Sequence, residues 1–310
     1  LRRSSAASDV YKRQVFYMEI APFDNREGFI WMNGEFIKWN DAKCHVITQG
    51  LHYASAVFEG ERAYKGKIFK SEEHTKRLFR SAEIVGIKIP YSQSQINEAK
   101  DELIKKMNFE DCYVRPIAWR GSQQMGISTA KSDINVAIAV WNDWASYFKI
   151  EDRKAGLRLI TSPWKRPSPD TAPCEAKASG PYVICTMSKE FAEEKGYHDA
   201  LMLDYRGYVA EGTGANIFFI KGKEIHTPIP DCFLNGITRQ TVIEMVKEQN
   251  FNITERHIKP EEISNFDEAF LTGTAAEITP IQSIDDIKFN TGDNTQNFKF
   301  MQDYHEIVRS

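Results

Sequence analysis

The sequence predicts a mixed α/β protein, α+β in the order of its elements, built as two domains. Strand-like and helix-like segments follow one another along the chain, and the composition turns polar once near its middle. Neither an internal repeat of solenoid period nor a low-complexity tract interrupts them, which excludes array architectures. The 310 residues suffice for one large or two medium cores, and a hydrophobic fraction of 42% is that of an ordinary globular chain.

The first element starts at Gly28, where FIWMNGEFIKW reads as two short strands about an Asn33-Gly34 turn, the dipeptide that best accepts positive φ in a hairpin. Residues 71 to 86 place Leu78, Ala82 and Val85 at helical spacing. They open on a Ser71-x-x-His74 pattern close to a capping box and end on Gly86. A second helix covers about 92 to 107, followed by strands 112 to 119 and 134 to 141, rich in Val, Ile and aromatic residues. The polar stretch 142 to 153 reads as the connection between a smaller α+β domain, 18 to 141, and a larger one, 154 to 310. In the larger domain, strands at LRLITS (157 to 162), 199 to 203, 216 to 220 and 268 to 271 alternate with helices over 181 to 196, about 238 to 249 and about 294 to 309.

Charge and cysteine usage narrow the function. Lys and Arg total 40 against 43 Asp and Glu, so a net charge of −3 supplies no long-range field to gather nucleic acid or an anionic membrane. Small-molecule chemistry is expected instead. The five cysteines are scattered without a Cys-x-x-Cys pair, and the seven histidines show no His-Glu-x-x-His spacing. Reduced thiols, a cytoplasmic setting and no metal are expected. No apolar run nears the roughly 20 residues that a membrane helix needs. Residues 1 to 17 read as a non-native or disordered tail, with the native start near Met18. Their first 14, LRRSSAASDVYKRQ, lack both an initial Met and the apolar core of a secretory signal, and the second half of these resembles a translated library adapter.

Four segments could carry chemistry. Glu211-Gly212-Thr213-Gly214-Ala215-Asn216 is Gly-rich but precedes a strand and has Ile217 where a dinucleotide fingerprint needs its third glycine, so it reads as a tight turn with a carboxylate fixed beside it. Asn235-Gly236-Ile237-Thr238-Arg239 opens a helix, so the amides of Ile237 and Thr238 could hold an anion. Taken alone, that segment reads more simply as a helix start with Thr238 as N-cap. Thr272 to Glu277 is a small-residue turn whose amides could hold a carboxylate or phosphate. Lys177, in PCEAKASGPY, has small neighbours that let a bulky group approach. None of these decides the matter by itself.

Together and in order, LHYASAVFEGERAY (51 to 64), HTKRLFRSA (74 to 82), YVRP (113 to 116), EAKASGPY (175 to 182), YVAEGTGANIF (208 to 218), NGITR (235 to 239) and TGTAAEITP (272 to 280) resemble the bacterial branched-chain-amino-acid aminotransferases. These are fold-type IV pyridoxal-phosphate enzymes. The resemblance runs from about Gly28 to Arg309 and implies the two-domain fold of the D-amino-acid aminotransferase kind. It implies that Lys177 carries the pyridoxal 5'-phosphate, that Glu211 keeps the ring nitrogen protonated and that Tyr182 bonds the phenolic oxygen. Arg77, the amides of Ile237 and Thr238, and Thr274 would hold the phosphate.

For the substrate, the resemblance implies that Tyr113 and the Thr274 and Ala275 amides meet the α-carboxylate. Phe58, Trp144 and Tyr182 would form the apolar side-chain pocket, Arg115 and Tyr147 would receive the distal carboxylate of glutamate, and Tyr53 and Ile127 would reach in from a neighbouring subunit of a homodimer or larger assembly. The implied reaction is ping-pong transfer of nitrogen from leucine, isoleucine or valine to 2-oxoglutarate. The chain departs from the commonest family pattern at KASGPY, where KAGGNY is common, and at Ala215, where glutamate is frequent. D-amino-acid aminotransferase and aminodeoxychorismate lyase remain alternatives on the same fold, and a binding protein that lost catalysis is an alternative from another class.

Overall fold

The computed structural model describes residues 22–142 and 154–310. The tail read over 1 to 17, Trp144, Tyr147 and, but for Asn142, the connection read over 142 to 153 lie outside the described residues.

Two sheets carry the fold. The first runs β2-β1-β7-β6-β4-β5, with β3 (Ala56–Phe58) also pairing β6. Its hairpin β1 (Phe29–Met32) and β2 (Glu35–Lys38) turns on Asn33 and Gly34, with φ of 52° and 97°, as the dipeptide predicts. β6 (Cys112–Arg120) and β7 (Ile134–Trp141) form its centre, and β4 (Glu61–Tyr64) and β5 (Lys67–Ile68) its far edge. Helices α2 (Ser71–Ile84) and α3 (Gln93–Met107), which follow a short α1 (Gln49–His52), cover one face. Leu78, Ala82, Ile96 and Leu103 meet Val114, Ala118, Val136 and Ile138 in one buried core. Ser92 and Gln95 close a capping box at the start of α3. The cap read at Ser71 is not present: α2 starts after Lys70, a left-handed residue with no side-chain bond to the helix, because Ser71 is already the first helical residue.

The second sheet has order β10-β9-β8-β15-β14-β11-β12-β13, with β16 (Ile287–Lys288) pairing β15. Its strands are β8 (Leu157–Arg166), β9 (Asp199–Asp204), β10 (Val209–Glu211), β11 (Asn216–Lys221), β12 (Glu224–Thr227), β13 (Asn252–Glu255), β14 (Glu268–Gly273) and β15 (Glu277–Ile284). β10 also pairs β11 through Glu211 and Asn216, which closes six of these strands into a ring. α4 (Tyr182–Glu194) crosses over between the parallel strands β8 and β9. α5 (Ile237–Glu248) and α6 (Gln296–Ile307) cover the sheet. The strand NIFFI is apolar on both faces for this reason. Ile217 and Phe219 point into a core with Leu159, Leu271 and Ile281, while Phe218 and Ile220 point into another with Val242, Met245 and Phe300. No helix among the described residues is long and apolar enough to cross a membrane.

Candidate active site

Lys177 is placed by backbone pairing to the first sheet. Ser179 N–H donates to Ala56 O at 3.0 Å and Phe58 N–H donates to Lys177 O at 3.1 Å, so the KAS segment extends along β3. Lys177 N–H donates to Ser81 Oγ at 2.9 Å, which ties it to α2 as well. Ala176 and Ala178 are buried on either side, where larger side chains would not fit this approach. Pro181 stands at the start of α4 with φ −60°, where its ring is already in helical geometry and its missing N–H is no loss. The departure from the family pattern at Pro181 therefore costs no backbone bond.

The Lys177 amine lies 2.6 Å from Tyr182 Oη and 4.9 Å from the ring centres of Phe58 and Tyr182. Burial, with help from the Arg77 guanidinium, brings its pKa down to about 8. Tyr182 is pushed the other way by burial and by Glu211, so it stays a hydroxyl. Across the cleft, burial raises the Glu211 carboxyl to about 7, outweighing Arg166 and Lys177. Arg166 Nε stands 3.4 Å from Glu211 Oε1 without hydrogen-bond geometry.

At the opposite end, Gly236 is the residue before α5, and Ile237 and Thr238 are its first two helical residues. Thr238 is therefore not the N-cap, which corrects the simpler reading of this segment, and the amides of Ile237 and Thr238 fall among those with no carbonyl inside the helix. Arg77 borders the same cleft, with Nε and Nη2 on the two oxygens of Glu59 at 2.7 and 2.8 Å. Burial pushes the Glu59 carboxyl up, but Arg77 and His74 outweigh it and hold it well below the usual carboxylate range. Thr274 and Ala275 lie in the turn joining β14 and β15, against the same cleft.

Tyr113 lines the cleft and receives a bond from Arg115 Nη2 at 3.0 Å. A Cβ on Gly60 would stand 2.0 Å from Tyr113 Oη, so any larger residue there would push Tyr113 out of this position. Arg115 also lies over the Phe58 ring at 4.9 Å, and Phe58 meets Tyr182 edge-on at 4.9 Å. Thus Lys177, Arg77, Tyr113, Tyr182, Glu211, Ile237, Thr238, Thr274 and Ala275 converge on one cleft, with Phe58 and Arg115 packed at its side. Tyr53 and Ile127, 45% and 86% exposed, do not line the cleft of their own chain.

Four side chains of the site were given no role by the sequence: Arg166, which lies in no motif, and Glu59, Asn216 and Thr272, which lie inside motifs read for other residues. Arg166 was hidden because β8 continues four residues beyond LRLITS. Glu59 gave no clear signal, since Glu61 and Arg62 follow it and a charge in AVFEGERAY reads as surface. Elsewhere, Asp204, Asp231 and Cys232 come within metal-binding distance of one another, but Arg206 Nη2 occupies the position between the carboxylates at 2.6 and 2.8 Å.

An amine that loses its proton near neutrality therefore faces a poorly neutralised carboxylate on one side and a helix start on the other. Pyridoxal phosphate has the complementary parts: an aldehyde, a basic ring nitrogen and a phosphate. Its fit is also supported by Thr272, a residue only 1% exposed that borders the cleft and whose hydroxyl has no protein partner. The fold and the cleft define a pyridoxal-phosphate-dependent enzyme.

The model of the amino-transferase class IV family matches residues 56–284, and the chain belongs to that family. It is 42% identical over 282 residues to the probable branched-chain-amino-acid aminotransferase of Rickettsia felis, covering 90% of this chain and 96% of that one. To the branched-chain-amino-acid aminotransferase of Pseudomonas aeruginosa it is 42% identical over 272 residues, covering 86% and 88%. Among solved structures, it is similar to the T.th. branched-chain amino acid aminotransferase complexed with N-(5'-phosphopyridoxyl)-L-glutamate. The TM-score is 0.86 at 35% identity, covering 92% of this chain and 95% of that one.

Proposed function

We propose that the chain transfers the amino group of L-leucine, L-isoleucine or L-valine to 2-oxoglutarate, giving the branched-chain 2-oxo acids and L-glutamate, and runs the reverse, biosynthetic reaction. The observation that carries this is the Lys177 amine, lowered to about 8 and 2.6 Å from Tyr182, in a cleft that also holds Glu211 and the start of α5. The relatives' names support the substrate class, and the glutamate adduct in the T.th. enzyme supports glutamate as the second substrate.

Bound pyridoxal phosphate supplies an electron sink for the negative charge that develops at the substrate α-carbon. The residues of the chain do the rest. Lys177 would hold the cofactor, and its neutral Nζ would accept the proton that leaves the substrate α-carbon. The lowered pKa raises the neutral, proton-accepting fraction of the amine at neutrality by roughly two orders of magnitude over a lysine of ordinary pKa. Glu211 would stay ionised beside the protonated ring nitrogen, a cation that would add to the incomplete compensation Arg166 and Asn216 give its buried carboxylate. Tyr182 donates to the phenolic oxygen. Arg77, the Ile237 and Thr238 amides and Thr274 bind phosphate, combining a guanidinium with helix-end donors. Tyr113 and the Thr274 and Ala275 amides orient the α-carboxylate.

Phe58, Tyr182 and Trp144 exclude water around an apolar side chain, and Arg115 with Tyr147 meets the distal carboxylate of glutamate. Without glutamate, Tyr113 Oη and the Phe58 ring give Arg115 the partners that its charge needs in such surroundings. Tyr53 and Ile127 complete the cleft of a second subunit, a role supported by their exposure, so the working unit is a homodimer or a larger assembly. Free thiols at all five cysteines agree with a cytoplasmic enzyme. Incubation with L-leucine and 2-oxoglutarate tests the proposal. Glutamate is expected. Its absence, together with turnover of D-alanine or release of pyruvate from aminodeoxychorismate, would contradict it.

A further inference from the structure

Glu211 and the start of α5 are separate pieces of chain, and one side chain joins them. Asn216 Nδ2 donates to Glu211 Oε2 at 3.1 Å and to Leu234 O at 3.0 Å, while its Oδ1 accepts from Gly236 N–H at 3.1 Å. Leu234 O and the ionised carboxylate can only accept and Gly236 N–H can only donate, so the amide has one workable orientation. The residue is 4% exposed and borders the cleft. It also sits at the single pair, Glu211 to Asn216, that closes the ring of strands, with Thr272 opposite it on the other side. Gly236 leaves it no slack: a Cβ there would stand 2.3 Å from Asn216 Oδ1.

We propose that Asn216 is a positioning residue that couples the two ends of the cofactor cradle, fixing the Glu211 carboxylate for the ring nitrogen and the first turn of α5 for the phosphate. This rests on the cofactor assignment above. The physical reason is rigidity. A cofactor that must meet a carboxylate at one end and helix amides at the other binds best when their separation is set beforehand. The Asn216 amide sets it with three bonds, its two Nδ2 donors going to Glu211 Oε2 and Leu234 O and its Oδ1 accepting from Gly236 N–H. Its bond to the charged form of Glu211 opposes burial and favours ionisation.

The coupling can be read in the full chain stripped of cofactor, with inorganic phosphate as probe and infrared titration of isotope-labelled glutamate for Glu211. Asn216→Ala should weaken phosphate binding at least fivefold and move the Glu211 titration upward from about 7. Gly236→Ala is the sharper variant, because its φ of −63° suits alanine and the added methyl group displaces Asn216 from the helix side alone. It should nevertheless raise the Glu211 titration, an effect that general loosening of the fold would not produce. If Asn216→Ala does not fold, Gly236→Ala carries the test. An unchanged Glu211 titration in Gly236→Ala, or an Asn216→Ala variant that alters one end only, would overturn the proposal. A visible absorption band on adding pyridoxal phosphate to the unmodified protein tests the cofactor assignment separately, so the two readings can fail independently.

Discussion

Two buried carboxylates, Glu61 and Glu211, stand in contrasting company. Glu61 Oε2 lies 2.7 Å from Lys100 Nζ, both side chains are fully buried, and Lys100 also donates to Thr75 Oγ1 at 2.8 Å and Ser71 O at 3.3 Å. Glu61 Oε1 has no hydrogen bond of its own, but the pair is closed off from solvent, and it fastens β4 and α3 to the start of α2. Glu211 has its cation, Arg166, at 3.4 Å without a hydrogen bond, and it opens on the cleft. Burial raises both carboxyls against their cations. A buried charge whose partners are all internal serves the fold, whereas one left poorly compensated at a cleft is prepared for a ligand that carries the missing charge.

The contrast can be broken at several points. The largest effect belongs to Lys177, the amine facing Glu211: Lys177→Ala should lower glutamate formation by roughly 10²–10⁴-fold with little change in melting temperature. At the sealed pair the consequence is stability instead. Lys100→Met leaves Glu61 buried without its cation and should cost about 3–5 kcal/mol in denaturant unfolding, while the double variant Glu61→Leu, Lys100→Met should recover most of it. Turnover of the folded fraction should be unchanged in both. Glu211→Gln should reverse this pattern, with turnover down on the order of 10²-fold and unfolding barely altered.

The smallest effect is one of pH. Because Lys177 has its pKa lowered to about 8, its neutral fraction falls with pH below that value. The rate at which cofactor-free protein captures pyridoxal phosphate should therefore drop about tenfold per pH unit below about 8 and level off above it, as stopped-flow absorbance would show. A rate independent of pH between about 6 and 8 would mean that the lysine is not the group being titrated.

Lys177, Glu211 and the NGITR segment were legible only together, through the ordered set of seven motifs and the family they resemble; alone, a lysine among small residues, a carboxylate beside a tight turn and a helix start decided nothing. The mixed α/β class was legible in outline from the Val-, Ile- and aromatic-rich runs of β6, β7 and β11 and the helical spacing in α2 and α3. The edge strands β3 to β5 were not, since they last only two to four residues. β15 was hidden by Thr279 and Pro280, which look like a loop yet pair with Leu271 and Phe270. Lys100 lies in EAKDELIKK, where a lysine reads as surface. Its place four residues after Ile96 and three before Leu103, on the buried stripe of α3, was the available signal. Asn216 had no such signal: an asparagine opening a strand after a turn is common, and its three bonds reach residues up to 20 positions away.

The central claim is that Lys177 carries the cofactor. Mixing the protein with pyridoxal phosphate, reducing with borohydride and mapping the labelled peptide tests it most directly. The label is expected on the peptide containing Lys177 and absent from Lys177→Ala; a label on another lysine, or none on the unmodified protein, would contradict the account.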